Sequence, residues 1–143
     1  MQTPRYDVVV IGTGPGGEGA AMQAAKLGRR VAVVEKQREV GGGCTHSGTI
    51  PSKALRQSVD RLLEFRTNPL FREVGHHLDV SWPDLVRTAN RVIGKQVELR
   101  TGFYDRNAVK MHHGRARLLD ANTVQIERED GATEWLEADG IVV

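Results

Sequence analysis

YDVVVIGTGPGGEGAAMQAAKLGRRVAVVEK, residues 6–36, carries the order of elements from which the rest of the chain can be read. YDVVVIG (6–12) is a short β-branched run without polar alternation, the pattern of a parallel strand buried on both faces. Glycines interrupt it, and the alanine-rich EGAAMQAAKLG (18–28) follows. Small side chains let such a helix lie close on a sheet, and Gly28 is a natural stop. RVAVVEK (30–36) is a second buried strand. Strand, glycine turn, helix and strand, in that order, make a βαβ unit.

Inside the turn, GTGPGG (12–17) places Gly12, Gly14 and Gly17 in G-x-G-x-x-G spacing. Gly12 permits a tight turn, Gly14 leaves no side chain in the way of a pyrophosphate, and Gly17 allows helix and strand to pack closely. The N-terminus of the helix then offers free N–H groups and partial positive charge to phosphates. Glu35, 21 residues after Gly14, ends the second strand at the spacing expected of an acid that binds ribose hydroxyls. It argues against a 2′-phosphate, which would force two negative charges together. The bland alternative is a structural glycine turn with a solvated glutamate. The strand before, the helix after and the acid beyond favour a dinucleotide. Whether it is NAD or FAD this stretch does not separate.

Downstream, a helix is expected from about Pro51 to Phe65, with Leu55, Val59, Leu62 and Leu63 as its buried stripe. TNPLFREVGHH (67–77) reads as a loop. A long helix is expected from Pro83 to Tyr104, with Ser81 as its cap. Leu85, Ala89, Val92, Ile93, Leu99 and Phe103 mark its apolar side, while Gly94 and Gly102 weaken its continuity. From residue 108 the pattern changes to strands: AVKMH, RARLL, TVQIER, TEWLEA and GIVV, separated by turn signals such as DAN (120–122) and EDGA (129–132). They suggest a third sheet strand, a small antiparallel excursion and the start of another buried strand. GIVV at the end reads as an unpaired apolar strand, an aggregation hazard. The expectation is therefore a chain that is part of a longer protein.

Composition limits the function classes. The 143 residues suffice for one domain with a real core, at 39% hydrophobic and 27% charged. A net charge of +2 with interspersed signs is not the basic stripe of a nucleic-acid binder. No apolar run approaches the roughly 20 residues that span a bilayer, and MQTPRYDVVVIG does not have the form of a signal peptide. One cysteine rules out a disulfide framework within the chain and suits a reducing cytosol, so a cytoplasmic location is expected. The histidine pairs His76–His77 and His112–His113 lack companions at ligand spacing and read as surface or loop residues, so no metal site is expected. Trp82 and Trp135 read as packing anchors. His46 lies inside the segment that holds the cysteine and is assigned no catalytic part.

That segment, GGGCTHSGTIPSKALR (41–56), together with GTGPGGEGAA and VEK, resembles the flavoprotein disulfide reductases, the family of glutathione reductase and dihydrolipoamide dehydrogenase. The resemblance spans essentially the whole chain, including the GRA step (114–116). It implies an α/β fold: a Rossmann-like FAD-binding domain with a parallel sheet, long helices and a small antiparallel β-meander. Residues 1–143 would be the N-terminal part of that domain, with the nicotinamide-binding and dimerisation domains outside the chain. The resemblance also implies roles by position. Gly12, Gly14 and Gly17 would serve the FAD pyrophosphate and Glu35 the adenosine ribose, with Lys36 also among the cofactor-binding residues. Gly42, Gly43 and Cys44 would line the flavin end, with Thr49 beside the ring and Lys53 near flavin N5. Gly114 and Ala116 would lie beside the adenine.

One departure decides the chemistry that the resemblance implies. The family's flavin-proximal cysteine falls at position 49, where this chain has Thr49. A hydroxyl forms no disulfide, so electrons on the flavin must leave by another route. Hydride return to a second nicotinamide is the simplest, as in the branch of the family that carries threonine here. The implied activity is hydride transfer between NADPH and NAD through FAD, with nicotinamide nucleotides as partners, in a homo-oligomer. The 143 residues alone would be inactive. Two alternatives stay open: a non-catalytic FAD- or nucleotide-binding module, and a single-cysteine flavoprotein oxidase or peroxidase working through a Cys44 sulfenic acid. The plainest reading of Cys44 is an unreactive thiol kept for packing.

Overall fold

β1 (Arg5–Ile11) and β2 (Val31–Glu35) pair in parallel, with Val8 opposite Val31 and Ile11 opposite Val34. The computed structural model in which they are seen describes residues 3–143. α1 (Pro15–Lys26) connects them and starts inside the glycine turn, three residues before the alanine-rich run. Pro15 explains the early start. Its ring presets a helical φ, and the N–H it lacks would have no partner in the first turn. The helix closes where expected, with Gly28 N–H donating to the Ala25 carbonyl and Arg29 N–H to that of Ala24.

α2 (Gly42–His46), α3 (Thr49–Thr67), α4 (Arg72–His76) and α5 (Trp82–Arg106) follow. Residues through Gly42, with Val97–Val143, form one compact unit, and Gly43–Gln96 form another. In the second unit the expected loop at 67–77 contains α4. Its Gly75 comes so close to α3 that a Cβ there would lie 2.3 Å from the Phe65 carbonyl oxygen, and the Phe65 and Phe71 rings sit 5.3 Å apart. That packing makes a helix from a segment whose proline and asparagine signal a loop. α5 runs unbroken through Gly94 and Gly102. Asp84 accepts from both the backbone N–H and the hydroxyl of Ser81, tying down the start of the helix.

β3 (Lys110–His113), β4 (Arg115–Leu118), β5 (Thr123–Glu127) and β6 (Thr133–Val142) complete a six-stranded sheet in the order β3-β2-β1-β6-β5-β4. The first four are parallel and the β6-β5-β4 run is antiparallel. The sheet is therefore mixed, a parallel set continued by a meander. TEWLEA and GIVV are not two strands but one. Its first half pairs with β5, and its second half continues beside β1 to Val142, opposite Val10. The chain stays extended between them because Gly140 lies opposite Val8 in the ladder and Asp139 holds Arg5 at 2.5 Å. The strand read as unpaired is thus paired with β1.

Alternation along the strands sends Val9 and Val10 into separate cores. Val9, Ala32 and Val34 pack with Val124, Ile126 and Leu136 of the meander. Val10, Val31 and Val33 pack with Ala21 of α1 and with Tyr104, at the end of α5. Several expected anchors lie outside these cores. Trp135 is 46% exposed because it alternates with inward Leu136 on β6, and Trp82, in the first turn of α5, is 64% exposed. Leu63, Val92 and Leu99 are also exposed. No described helix is long and apolar enough to cross a membrane.

The Tyr104 hydroxyl is fully buried and has no hydrogen-bond partner among the described residues. Burial, with the Glu18 and Glu35 carboxylates adding to it, pushes the phenol well above its usual range. An unmade buried hydrogen bond costs about 1–3 kcal/mol. Tyr104→Phe is accordingly expected to raise unfolding stability by about 1 kcal/mol in urea titrations. A loss of stability would show that the hydroxyl is satisfied.

Candidate nucleotide site

The turn between β1 and α1 is built by steric necessity. Gly12 has φ +98°, a conformation L side chains avoid, and its N–H donates to the Val34 carbonyl at 2.8 Å. A Cβ on Gly17 would stand 2.1 Å from the Gly12 carbonyl oxygen. Gly14 is the extended N-cap of α1, no side chain caps the helix, and a Cβ at Gly14 would meet nothing within 4 Å. The first-turn N–H groups are therefore left to an outside acceptor. An open cradle at Gly14, uncapped donors and the positive end of a helix dipole fit a dinucleotide pyrophosphate. On the turn's other side Gly42 approaches so closely that a Cβ there would lie 2.8 Å from Gly14 Cα.

Glu35 ends β2 beside this turn and is 4% exposed. Its Oε2 accepts from the Thr13 N–H at 2.9 Å and from the Thr13 hydroxyl at 2.5 Å, and its Oε1 accepts from the Gln37 N–H at 2.9 Å. Thr13 Oγ in turn accepts from the Gly41 N–H at 2.9 Å. Burial pushes the carboxyl up, but the donors of Thr13 and Gln37 outweigh it and hold Glu35 below its ordinary range. Gly114 donates its N–H to the Glu35 carbonyl at 2.9 Å, and Ala116 is half-buried on β4, opposite Ile126. Buried Gly114 and exposed Lys36 line a cleft of about 370 Å³ together with His113 and Arg128.

The structure therefore brings Gly12, Gly14, Gly17, Glu35, Gly42 and Gly114 together within the first unit. Gly43, Cys44, Thr49 and Lys53 belong to the second. There Cys44 is a free, half-buried thiol on α2, and Thr49 and Lys53 are exposed in the first turns of α3. α3 begins two residues before the expected Pro51. That proline is accommodated because first-turn N–H groups have no intrahelical partner.

Sequence reading missed Thr13 and Gly41, since neither residue type has a signature that links Thr13 to a carboxylate 22 positions on or Gly41 to a hydroxyl 28 positions back. It also misplaced His112, which is buried. Its Nδ1 lies 3.0 Å from Glu134 and its Nε2 lies 3.3 Å from the Tyr6 hydroxyl. The strand register carries His112 inward while His113 faces out. Among the described residues, no three His, Cys, Asp or Glu side chains converge as metal ligands.

Residues 6–143 match the family model described as pyridine nucleotide-disulphide oxidoreductase. The chain is 54% identical over all 143 residues to a soluble pyridine nucleotide transhydrogenase of Pseudomonas paraeruginosa, and 52% identical to one of a Marinomonas species. It spans 31% of the length of each of these relatives. A solved structure of the HOCl-induced flavoprotein disulfide reductase RclA from Escherichia coli, in its Cu(II) complex, superposes with a TM-score of 0.78. That likeness is at 21% identity and covers 99% of this chain and 28% of the other, and it shows the fold.

Proposed function

This chain belongs to the pyridine nucleotide-disulphide oxidoreductase family, and from that premise we propose that its glycine turn holds FAD in a protein that passes hydride between NADPH and NAD. The observation that carries the reading is Thr49, five residues after the only cysteine, where the family's disulfide needs its second sulfur. The names borne by the 54% and 52% identical relatives support it.

When bound, FAD supplies the chemistry: it takes a hydride from one nicotinamide and gives it to another. The chain's own residues bind and orient. The uncapped start of α1 neutralises the pyrophosphate, and Glu35 accepts from the adenosine ribose, with Lys36 beside it. Gly114 and Ala116 border the adenine. Gly42, Gly43 and Cys44 would serve the flavin end, and Thr49 the ring. Lys53 would supply positive charge that favours electron density on the ring. The same reading makes nicotinamide nucleotides the partners of a cytoplasmic homo-oligomer, and the lone cysteine supports that compartment.

Sulfur plays no part in this reaction. Cys44→Ser is expected to keep hydride transfer from NADPH to thio-NAD within about threefold of the wild type, less than 1 kcal/mol in barrier. The flavin absorbance should still bleach with NADPH. Loss of transfer with flavin still bound would assign the thiol a catalytic part and remove the proposal.

A further inference from the structure

We infer that Thr13 is a positioning residue for nucleotide recognition: its buried hydroxyl clamps Glu35 Oε2 to the Gly41 N–H and leaves Oε1 as the oxygen that receives a ribose hydroxyl. The inference rests on the reading of this turn as the FAD site. Thr13 is 1% exposed, so water does not compete for its hydroxyl. That hydroxyl has one proton, which goes to Glu35 Oε2, and it accepts the Gly41 N–H. The Thr13 backbone N–H reaches the same Oε2. A carboxylate offers about four acceptor positions, two on each oxygen. Both on Oε2 are thus filled from Thr13, while Oε1 accepts the Gln37 N–H, and the Lys36 N–H also acts on the carboxylate. The remaining capacity lies on Oε1, whose existing bond is only part-buried, unlike those of Oε2.

The clamp joins three stretches distant in sequence: the turn after β1, the end of β2 and the Gly41–Gly42 turn that presses on Gly14. It sets the carboxylate before any ligand arrives, so no side-chain ordering remains to oppose binding. Valine at 13 would keep the shape and lose the hydroxyl. The carboxylate would then be held by backbone N–H groups alone, less firmly, and the Gly41 N–H would lose its acceptor. Serine would restore both bonds.

The test compares ADP with 2′,3′-dideoxy-ADP by calorimetry on the wild-type protein freed of flavin, and on its Thr13→Val and Thr13→Ser variants. Wild type and Thr13→Ser are expected to prefer ADP about tenfold, the value of a hydrogen bond to a charged acceptor. Thr13→Val should reduce that preference to about twofold. A general loosening of the fold would weaken both ligands alike and leave the ratio unchanged, and that result overturns the inference while the nucleotide site stands. A wild type that binds ADP without discriminating also overturns it. Failure of the wild type to bind either ligand removes the reading of the site and this inference with it. One measurement needs no variant: the Gly41 amide of the wild type should exchange with solvent slowly, and exchange at the rate of an open loop rejects the clamp.

Discussion

Gly17→Ala is expected to cost at least about 3 kcal/mol of folding stability, at the upper end of overpacking penalties, and to abolish FAD binding. The added Cβ would stand 2.1 Å from the Gly12 carbonyl oxygen and 3.3 Å from Val10 Cγ1. The first obstacle is backbone, in a residue already held at φ +98° and bonded to Val34. No side chain can swing away to relieve it, so β1 and α1 must separate. Gly19→Ala is the control. It lies on the same helix, exposed, with nothing within 4 Å of its Cβ. There the better helix propensity of alanine should raise stability by about 0.5–1 kcal/mol. Urea titrations of the two variants would measure both effects, and equal effects at the two positions would refute the packing account of the turn.

Glu35→Ala is expected to lose about 3 kcal/mol of stability, the cost of stranding several buried donors at about 1 kcal/mol or more each, and to weaken FAD roughly ten- to a hundredfold. The donors are the Thr13 N–H and hydroxyl and the Gln37 N–H. The pH dependence gives an independent reading. Glu35 titrates below its ordinary value of 4.5 in the folded protein. Its contribution is therefore complete above pH 4.5 and is lost as pH falls through the lower folded value. Glu35→Gln, which does not titrate, should flatten this acid-side slope in unfolding measured between pH 3 and pH 6. A slope the same as wild type would show that Glu35 is not the group responsible.

Much of this was legible in the residue order. The β-branched runs of β1 and β2, the alanines of α1 and the glycine spacing of the turn are local signals, and each formed as read. Glu35 was placed at the end of β2 for the same reason: a strand's length and its last buried valine locate the next residue. The long helix α5 was also read correctly over most of its length, because its period was sustained despite two glycines. The lack of a second cysteine needed no structure, being a fact of composition, and that Thr49 stands at the family's second cysteine position is what the resemblance implies.

What the sequence by itself determined, then, is everything that depends on neighbours along the chain: the βαβ order, the turn chemistry and the missing disulfide partner. What only the tertiary structure decided depends on neighbours in space. TEWLEA and GIVV read as two strands but form one, because pairing with β1 carries the chain extended through Asp139 and Gly140. Leu63, Leu99 and Trp135 read as core, yet packing turned other residues inward. His112 read as a surface or loop residue and Tyr104 only as the end of a helix, yet both are buried. Most of all, Thr13, Glu35 and Gly41 form one buried network whose members share no local pattern. Hydrogen bonds between side chain and backbone over such separations leave no periodicity in a sequence, because their partners are chosen only when the strands and turns have already met.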